Sequence, residues 1–231
     1  MPSTTRRGSS LLTNALAEDE ALEPAGKVTK ALDWVYQKAT DGIPGLDSAS
    51  ELAGDYLKGP GTLTDRVNRL IRWQNTKAAT SGFVTGFGGA IVLPFTIPAN
   101  VASVMYVQLR MVAAIAIMGS HDIRDDRVKT VAYACLTGNG LKDILKDAGI
   151  ALGKGFAKSG INKISGKTIV AINQKVGFRL LTKAGETGIV NLGKIVPFLG
   201  GVIGGAVDAT TTNVIGNVAR NIFIEGEGSE V

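Results

Sequence analysis

The chain has 231 residues and a net charge of +5, with hydrophobic residues at 45% and charged residues at 19%, below the ordinary level of about 25%. That length suits one domain with a sizeable core, and its one cysteine excludes an internal disulfide and a Cys-rich zinc site. With 30 glycines and only 6% aromatics, its apolar matter is small and aliphatic, which favours close backbone approach over bulky packing.

Residues 1–25 read as a loosely attached, Ser/Thr/Arg-rich segment that turns acidic before Pro24. Its short run from Leu11 to Ala17 is too polar for a signal peptide. Lys27 to Thr40 has helical spacing, with Leu32, Val35 and Tyr36 on one side and Gly42-Ile43-Pro44-Gly45 closing it. Ser48 with Glu51 fits a capping box for a helix to Lys58. After Gly59-Pro60-Gly61, Thr62 or Thr64 can cap a helix through Val67, Leu70, Ile71 and Trp73.

From Ala78 to Leu109 no side chain is charged. The run exceeds the roughly 20 residues a bilayer span needs. Four glycines between Gly82 and Gly89, then Pro94 and Pro98, break it. The pattern predicts a helix over about 80–93, a bend over 93–98, and a second helix over 99–118 stopped by Gly119. In that second helix the Val, Leu and Ile residues bring about −0.3 to −0.6 kcal/mol each toward insertion, and Arg110, at about +2.5 to +3.5, nearly cancels them. Neither half is an autonomous span; a hairpin inserted in membrane or buried in protein fits both.

Asp122 to Thr137 reads as a helix holding Val128, Val131, Ala132 and Cys135, a cysteine expected to act as a small buried hydrophobe. Gly138-Asn139-Gly140 is a turn, followed by helices over about 140–158 and 167–184. The stretch 142–194 carries Lys142, Lys146, Lys154, Lys158, Lys163, Lys167, Lys175, Arg179, Lys183 and Lys194 against Asp143, Asp147 and Glu186, more than the whole net charge. Such a face suits an anionic partner. Its only aromatics are Phe156 and Phe178, too few for a nucleic-acid strand, so lipid headgroups are expected at Lys154, Lys158, Lys163 and Lys167 and no nucleic acid. A second charge-free run, Ile195 to Val207, carries Pro197 and the small-residue pairs of Gly200, Gly201, Gly204 and Gly205, and continues helical to about Ile224. An acidic tail, 226–231, ends the chain.

The expected fold is all-α: one helical domain over 26–225, with two Gly/Pro-rich apolar hairpins at about 80–118 and 190–224. Phe83, Phe87, Ile91, Phe95, Ile97 and Phe198 are the expected membrane or lipid contacts. Arg110 and Asp208, each alone in an apolar run, are expected to pair across the hairpins, Arg110 sharing a face with Ser103 and Tyr106. No catalytic or metal constellation is evident. His121 with Asp122 and Asp125 could offer acid/base chemistry but suits capping better. Gly160 to Thr168 has one residue too many between its glycines for a phosphate loop. No cofactor is expected.

Three segments carry a family resemblance. Gly82-Phe-Val-Thr-Gly86-Phe-Gly88-Gly89, then Leu93-Pro-Phe-Thr-Ile-Pro98, then Arg110-Met-Val-Ala-Ala-Ile-Ala-Ile-Met-Gly119 resemble the EcsC family. Leu192-Gly-Lys-Ile-Val-Pro197-Phe-Leu-Gly-Gly201, through Asn217 to Phe223, is also similar, so the likeness covers roughly 62–225. It implies a bacterial, mostly helical protein, membrane-associated or encoded near membrane transport systems, with no established catalytic residue. With the charge pattern, the expectation is a non-catalytic accessory or assembly factor, cytoplasmic and peripheral or partly inserted at the inner membrane. The alternatives are a soluble bundle holding a lipid or other apolar ligand in a central pocket, and an enzyme of unknown type.

Overall fold

The computed structural model describes residues 26–79, 99–150, 159–186 and 202–226. Among them the fold is all-α, and the sole β feature is an isolated bridge between Ile43 and Leu46. Helix α1, residues 26–41, buries Ala31, Leu32, Val35, Tyr36 and Ala39 at helical spacing. Gly42 ends it at φ +82, a conformation only glycine adopts freely.

Helix α2 spans Ala49–Leu57 and opens with the expected box: Glu51 N–H donates to Ser48 Oγ at 3.2 Å, and Ser48 N–H to Glu51 Oε2 at 2.8 Å. Helix α3, Leu63–Ala79, starts the same way with a shorter acid; Thr62 and Asp65 exchange bonds of 3.0 and 3.2 Å. Of the two threonines proposed as caps, Thr62 is the one used. Arg66 and Arg69 on α3 reach back to the carbonyls of Leu57, the last residue of α2, and Pro60 beyond it. Val67, Leu70 and Ile71 are buried, whereas Trp73 is 52% exposed and Gln74 is the fully buried neighbour. At 100° per residue, 67, 70, 71 and 74 share a stripe that 73 leaves.

Helix α4, Ala99–Met118, has the predicted bounds. Every residue from Tyr106 to Ala116 is buried, so its opposite faces are both interior. A helix apolar all round belongs at the centre of a fold. It packs against α2, α3, and two helices defined next, α5 (Asp126–Cys135) and α8 (Val202–Arg220). The register is readable from side-chain pairs. Gln108 donates to Thr212 at 3.2 Å and His121 meets Phe223 O at 3.2 Å, so α4 and α8 run parallel. Asn75 pairs with Asn213 and Arg220 with Asn68, so α3 runs antiparallel to α8. At their crossing a Cβ on Gly216 would lie 2.8 Å from Ile71 Cγ1. Gly216→Ala is therefore expected to cost about 1–3 kcal/mol of overpacking in a urea titration; an unchanged midpoint would contradict that crossing.

Helix α5 starts later than the expected Asp122. Asp122 closes a local turn by accepting from Arg124 N–H at 2.9 Å, and Asp125 is the cap, accepting from Arg127 N–H. Its Tyr133 donates to Asp33 of α1 at 2.7 Å and stacks edge-on against Tyr36, ring centroids 5.6 Å apart. Cys135 is fully buried, which pushes its thiol pKa up and leaves it protonated.

After a 3₁₀ turn at Gly138–Gly140, α6 is short, Leu141–Asp147, where a helix to 158 was expected. Gly149 sits at φ +78 and ends it; 151–158 lie outside the described residues. A 3₁₀ turn, Ile161–Lys163, leads to α7, Gly166–Glu186, which packs on α5 and α6. Two ion pairs fix α7 to α6: Lys175 with Asp147 at 2.9 Å and Arg179 with Asp143 at 3.1 Å. Helix α8 ends in a π turn, Asn221–Glu225, closed by Gly226 at φ +65.

Four carboxylates are held below their ordinary pKa by bonds made in this fold. Glu51 accepts from the Ser48 backbone, Asp65 from the Thr62 hydroxyl, Asp125 from the Arg127 side chain and Asp147 from Lys175. A depressed native pKa means the unfolded chain binds more protons in acid. That stability is complete above the unfolded values of about 4 and is lost as pH falls through the native ones. The urea midpoint is expected to hold from neutral pH to about pH 5 and to drop below about pH 4; a level profile to pH 3 would contradict these contacts.

Candidate functional site

Two places carry chemistry beyond packing. The first is the outer face of α7. Its inner stripe is set by Ile172 and Val176, both fully buried, with Ile169 and Leu180 packed beside them. The opposite stripe carries Lys167, Val170, Gln174 and Phe178, all exposed. On a 3.6-residue helix these four fall within an arc of about 80°. Val170 is 56% and Phe178 54% exposed, the most exposed of the large apolar side chains among the described residues. They are separated by two turns, about 12 Å.

The stripe begins at a positive end. Ser165 caps α7, its hydroxyl accepting from Thr168 N–H at 3.2 Å. No acid occupies the first turn, and Lys163 and Lys167 are exposed beside it. Cations are ordinarily disfavoured at a helix N-terminus, where the macrodipole is positive. Two lysines there, with no carboxylate, make a local field that attracts phosphate oxygens. The segment Gly160–Thr168 is thus a 3₁₀ turn and a helix start, not a phosphate loop wrapped on a strand.

The second place is buried. Arg110 on α4 is 1% exposed. Its Nη1 donates to the carbonyl of Asp47 at 3.1 Å, and its Nη2 to Gln74 Oε1 at 3.4 Å. Its guanidinium carbon lies 5.5 Å from the centre of the Tyr106 ring, one turn earlier on the same helix. Burial, only partly offset by Tyr106 and Asp47, lowers the Arg110 pKa, and burial raises that of Tyr106. Two residues back and on the opposite face of α4, Gln108 and Thr212 form their own buried bond. Ser103 is 2% exposed, so the polar face read from the sequence, Ser103–Tyr106–Arg110, points into protein.

The expected partner of Arg110 was Asp208, whose side chain lies outside the described residues. The partners it does hold, a main-chain carbonyl before α2 and an amide on α3, left no signal in the sequence. The expected lipid contacts Phe83, Phe87, Ile91, Phe95, Ile97 and Phe198 lie outside the described residues, as do Lys154 and Lys158. Lys163 and Lys167 lie at the head of the α7 stripe. Val170 and Phe178 were not singled out from the sequence as exposed apolar residues, although the 167–170–174–178 spacing places them on one stripe.

His121 is spent on structure: its ring packs on Phe223 at 5.2 Å and its Nε2 bonds the Phe223 carbonyl. Among the described residues no group of three or more His, Cys, Asp or Glu could hold a metal, and no helix is long and apolar enough to cross a membrane. No protein-family model, curated protein or solved structure matches the chain.

Proposed function

We propose that this chain is a non-catalytic, EcsC-like helical protein that docks peripherally on an anionic membrane surface through α7, acting as an accessory or assembly factor on the cytoplasmic side. The observation that carries the proposal is the pair of half-exposed apolar side chains, Val170 and Phe178, on the same stripe as Lys167. An amphipathic helix lying in the headgroup plane needs this combination: apolar groups to enter the acyl boundary and lysines to meet lipid phosphate. Lys154 and Lys158 extend the basic character in sequence. The compartment follows from the single cysteine and the family resemblance.

Flotation of the full chain with vesicles tests the electrostatic half. Binding is expected to phosphatidylserine-containing vesicles at low salt, and to fall toward zero with neutral phosphatidylcholine or at high salt. Lys163→Gln with Lys167→Gln is expected to weaken it by about 2 kcal/mol, roughly thirtyfold. Equal binding to neutral and anionic vesicles would contradict the proposal.

A further inference from the structure

Docking leaves open what meets the α7 stripe in water. Val170 and Phe178 are each more than half exposed there. Apolar groups rimmed by charge mark an interaction site. The rim is cationic: α6, α7 and the 3₁₀ turn at Ile161–Lys163 hold seven lysines and arginines against Asp143, Asp147 and Glu186, an excess of four. A cover for this face must bring acids and aliphatic side chains together.

The chain holds such a segment. Between Arg7 and Lys27 it has no cation, and Glu18, Asp19, Glu20 and Glu23 supply four acids. Leu12 and Leu16 stand just before them, four residues apart and so on one face of a helical turn. The other acidic stretch, 226–231, has no leucine, and it follows Phe223, which meets His121 beside the start of α5.

Segment 11–23 lies outside the described residues, but its point of attachment is fixed. Tyr36 donates to Ile123 O at 3.0 Å and Tyr133 to Asp33 at 2.7 Å, so α1 runs antiparallel to α5. Gly26, where α1 begins, therefore lies toward the end of α5. Arg127 donates to Asn162 O at 3.0 Å and Arg179 to Gly140 O at 2.7 Å, so α7 runs parallel to α5. Its Phe178 end lies toward the end of α5 as well. With α5 between them, α1 and α7 are two helix spacings apart, about 20 Å. Ten extended residues span about 33 Å, enough to carry Leu16 from Gly26 to Phe178. Four further residues carry Leu12 on toward Val170.

We infer that residues 11–23 strap the α7 stripe in solution, with Leu12 and Leu16 on Val170 and Phe178 and the acids along the cationic rim. The inference rests on the docking reading of α7 and adds its regulation. An anionic membrane attracts Lys163 and Lys167 and repels Glu18, Asp19 and Glu20, so the surface that binds α7 also releases the strap. Away from such a surface, the strap keeps two apolar side chains out of water.

Two measurements on the full chain test it. In vesicle-free buffer, Leu16→Cys is combined with Phe178→Cys or, on the exposed side of α3, with Thr76→Cys. Cys135 is fully buried and stays out of the reaction. A disulfide needs its Cα atoms within about 7 Å. Mild oxidation is expected to close the 16–178 pair at least about tenfold faster than the 16–76 pair, because docking raises the local thiol concentration. Equal rates, or a faster 16–76 pair, overturn the strap. In flotation on phosphatidylserine-containing vesicles, Leu12→Ser with Leu16→Ser is expected to raise affinity about fivefold, the gain from freeing a face covered about four-fifths of the time. Unchanged or weaker binding of that variant overturns the strap too. If the wild type does not float at all, the docking reading fails and the crosslink still decides the strap. A failed crosslink with a floating wild type removes the strap and leaves docking in place.

Discussion

Alanine at position 119 is expected to destabilise the fold by about 3 kcal/mol, the upper range of overpacking. Gly119 ends α4 where the C-terminal π turn crosses it. A Cβ there would overlap the Phe223 carbonyl oxygen and press on His121 Cδ2 at 3.1 Å. The oxygen is main chain, so no rotamer change relieves it. The turn must move, and with it the His121–Phe223 bond and the burial of Ile222 and Phe223, each 2% exposed. Urea unfolding followed by far-UV circular dichroism reads the loss. A change below about 0.5 kcal/mol would show that the π turn does not lie against α4.

The second large effect concerns what α4 faces. Ile115 is fully buried in protein. Ile115→Ala is expected to cost about 2–5 kcal/mol in detergent-free buffer, the transfer term plus a cavity in a close-packed core. Val170→Ala, on the exposed stripe of α7, is expected to stay within about 0.5 kcal/mol. Were α4 a lipid-facing helix, shortening Ile115 would leave stability in water nearly unchanged.

Much of this fold was legible because its signals are local. Ser48 with Glu51 announces α2, and Pro98 and Gly119 bracket α4. The all-α class followed from helical spacing and the lack of any alternating run. Boundaries went astray where several residues could serve. The run Asp122-Ile123-Arg124-Asp125-Asp126 offers three caps, and Asp125 prevails because Arg127 grips it with its backbone and side chain together. Helix α6 stops at Asp147 because Gly149 takes a left-handed turn, a glycine stop signal that the expected helix to 158 ran through.

The candidate site was half legible, for a physical reason. Arg110 stood out because a lone charge in an apolar helix needs a partner. The search went to a carboxylate, the partner with opposite charge. The Asp208 side chain lies outside the described residues; among those described, a main-chain carbonyl and the Gln74 amide meet Arg110, and any residue can supply the first. On α7 the lysines drew notice by charge, whereas Val170 and Phe178 are ordinary until their exposure is known. The charge-free run that suggested a membrane span is, in its α4 half, the centre of the protein. Among the described residues, the surface proposed to meet lipid is the basic helix, which the sequence also pointed to; the expected hairpin contacts lie outside them.

That proposal is tested most directly by flotation on phosphatidylserine-containing vesicles with Val170→Ser and Phe178→Ser combined. The substitutions leave every charge and the buried face of α7 in place, so the circular dichroism spectrum and urea midpoint should match the wild type. Losing the Phe178 side chain alone removes on the order of 1.5–3 kcal/mol of apolar transfer when it is fully withdrawn from water. Vesicle affinity is expected to fall at least about tenfold. A folded double variant that floats as well as the wild type would show that α7 does not enter the membrane interface.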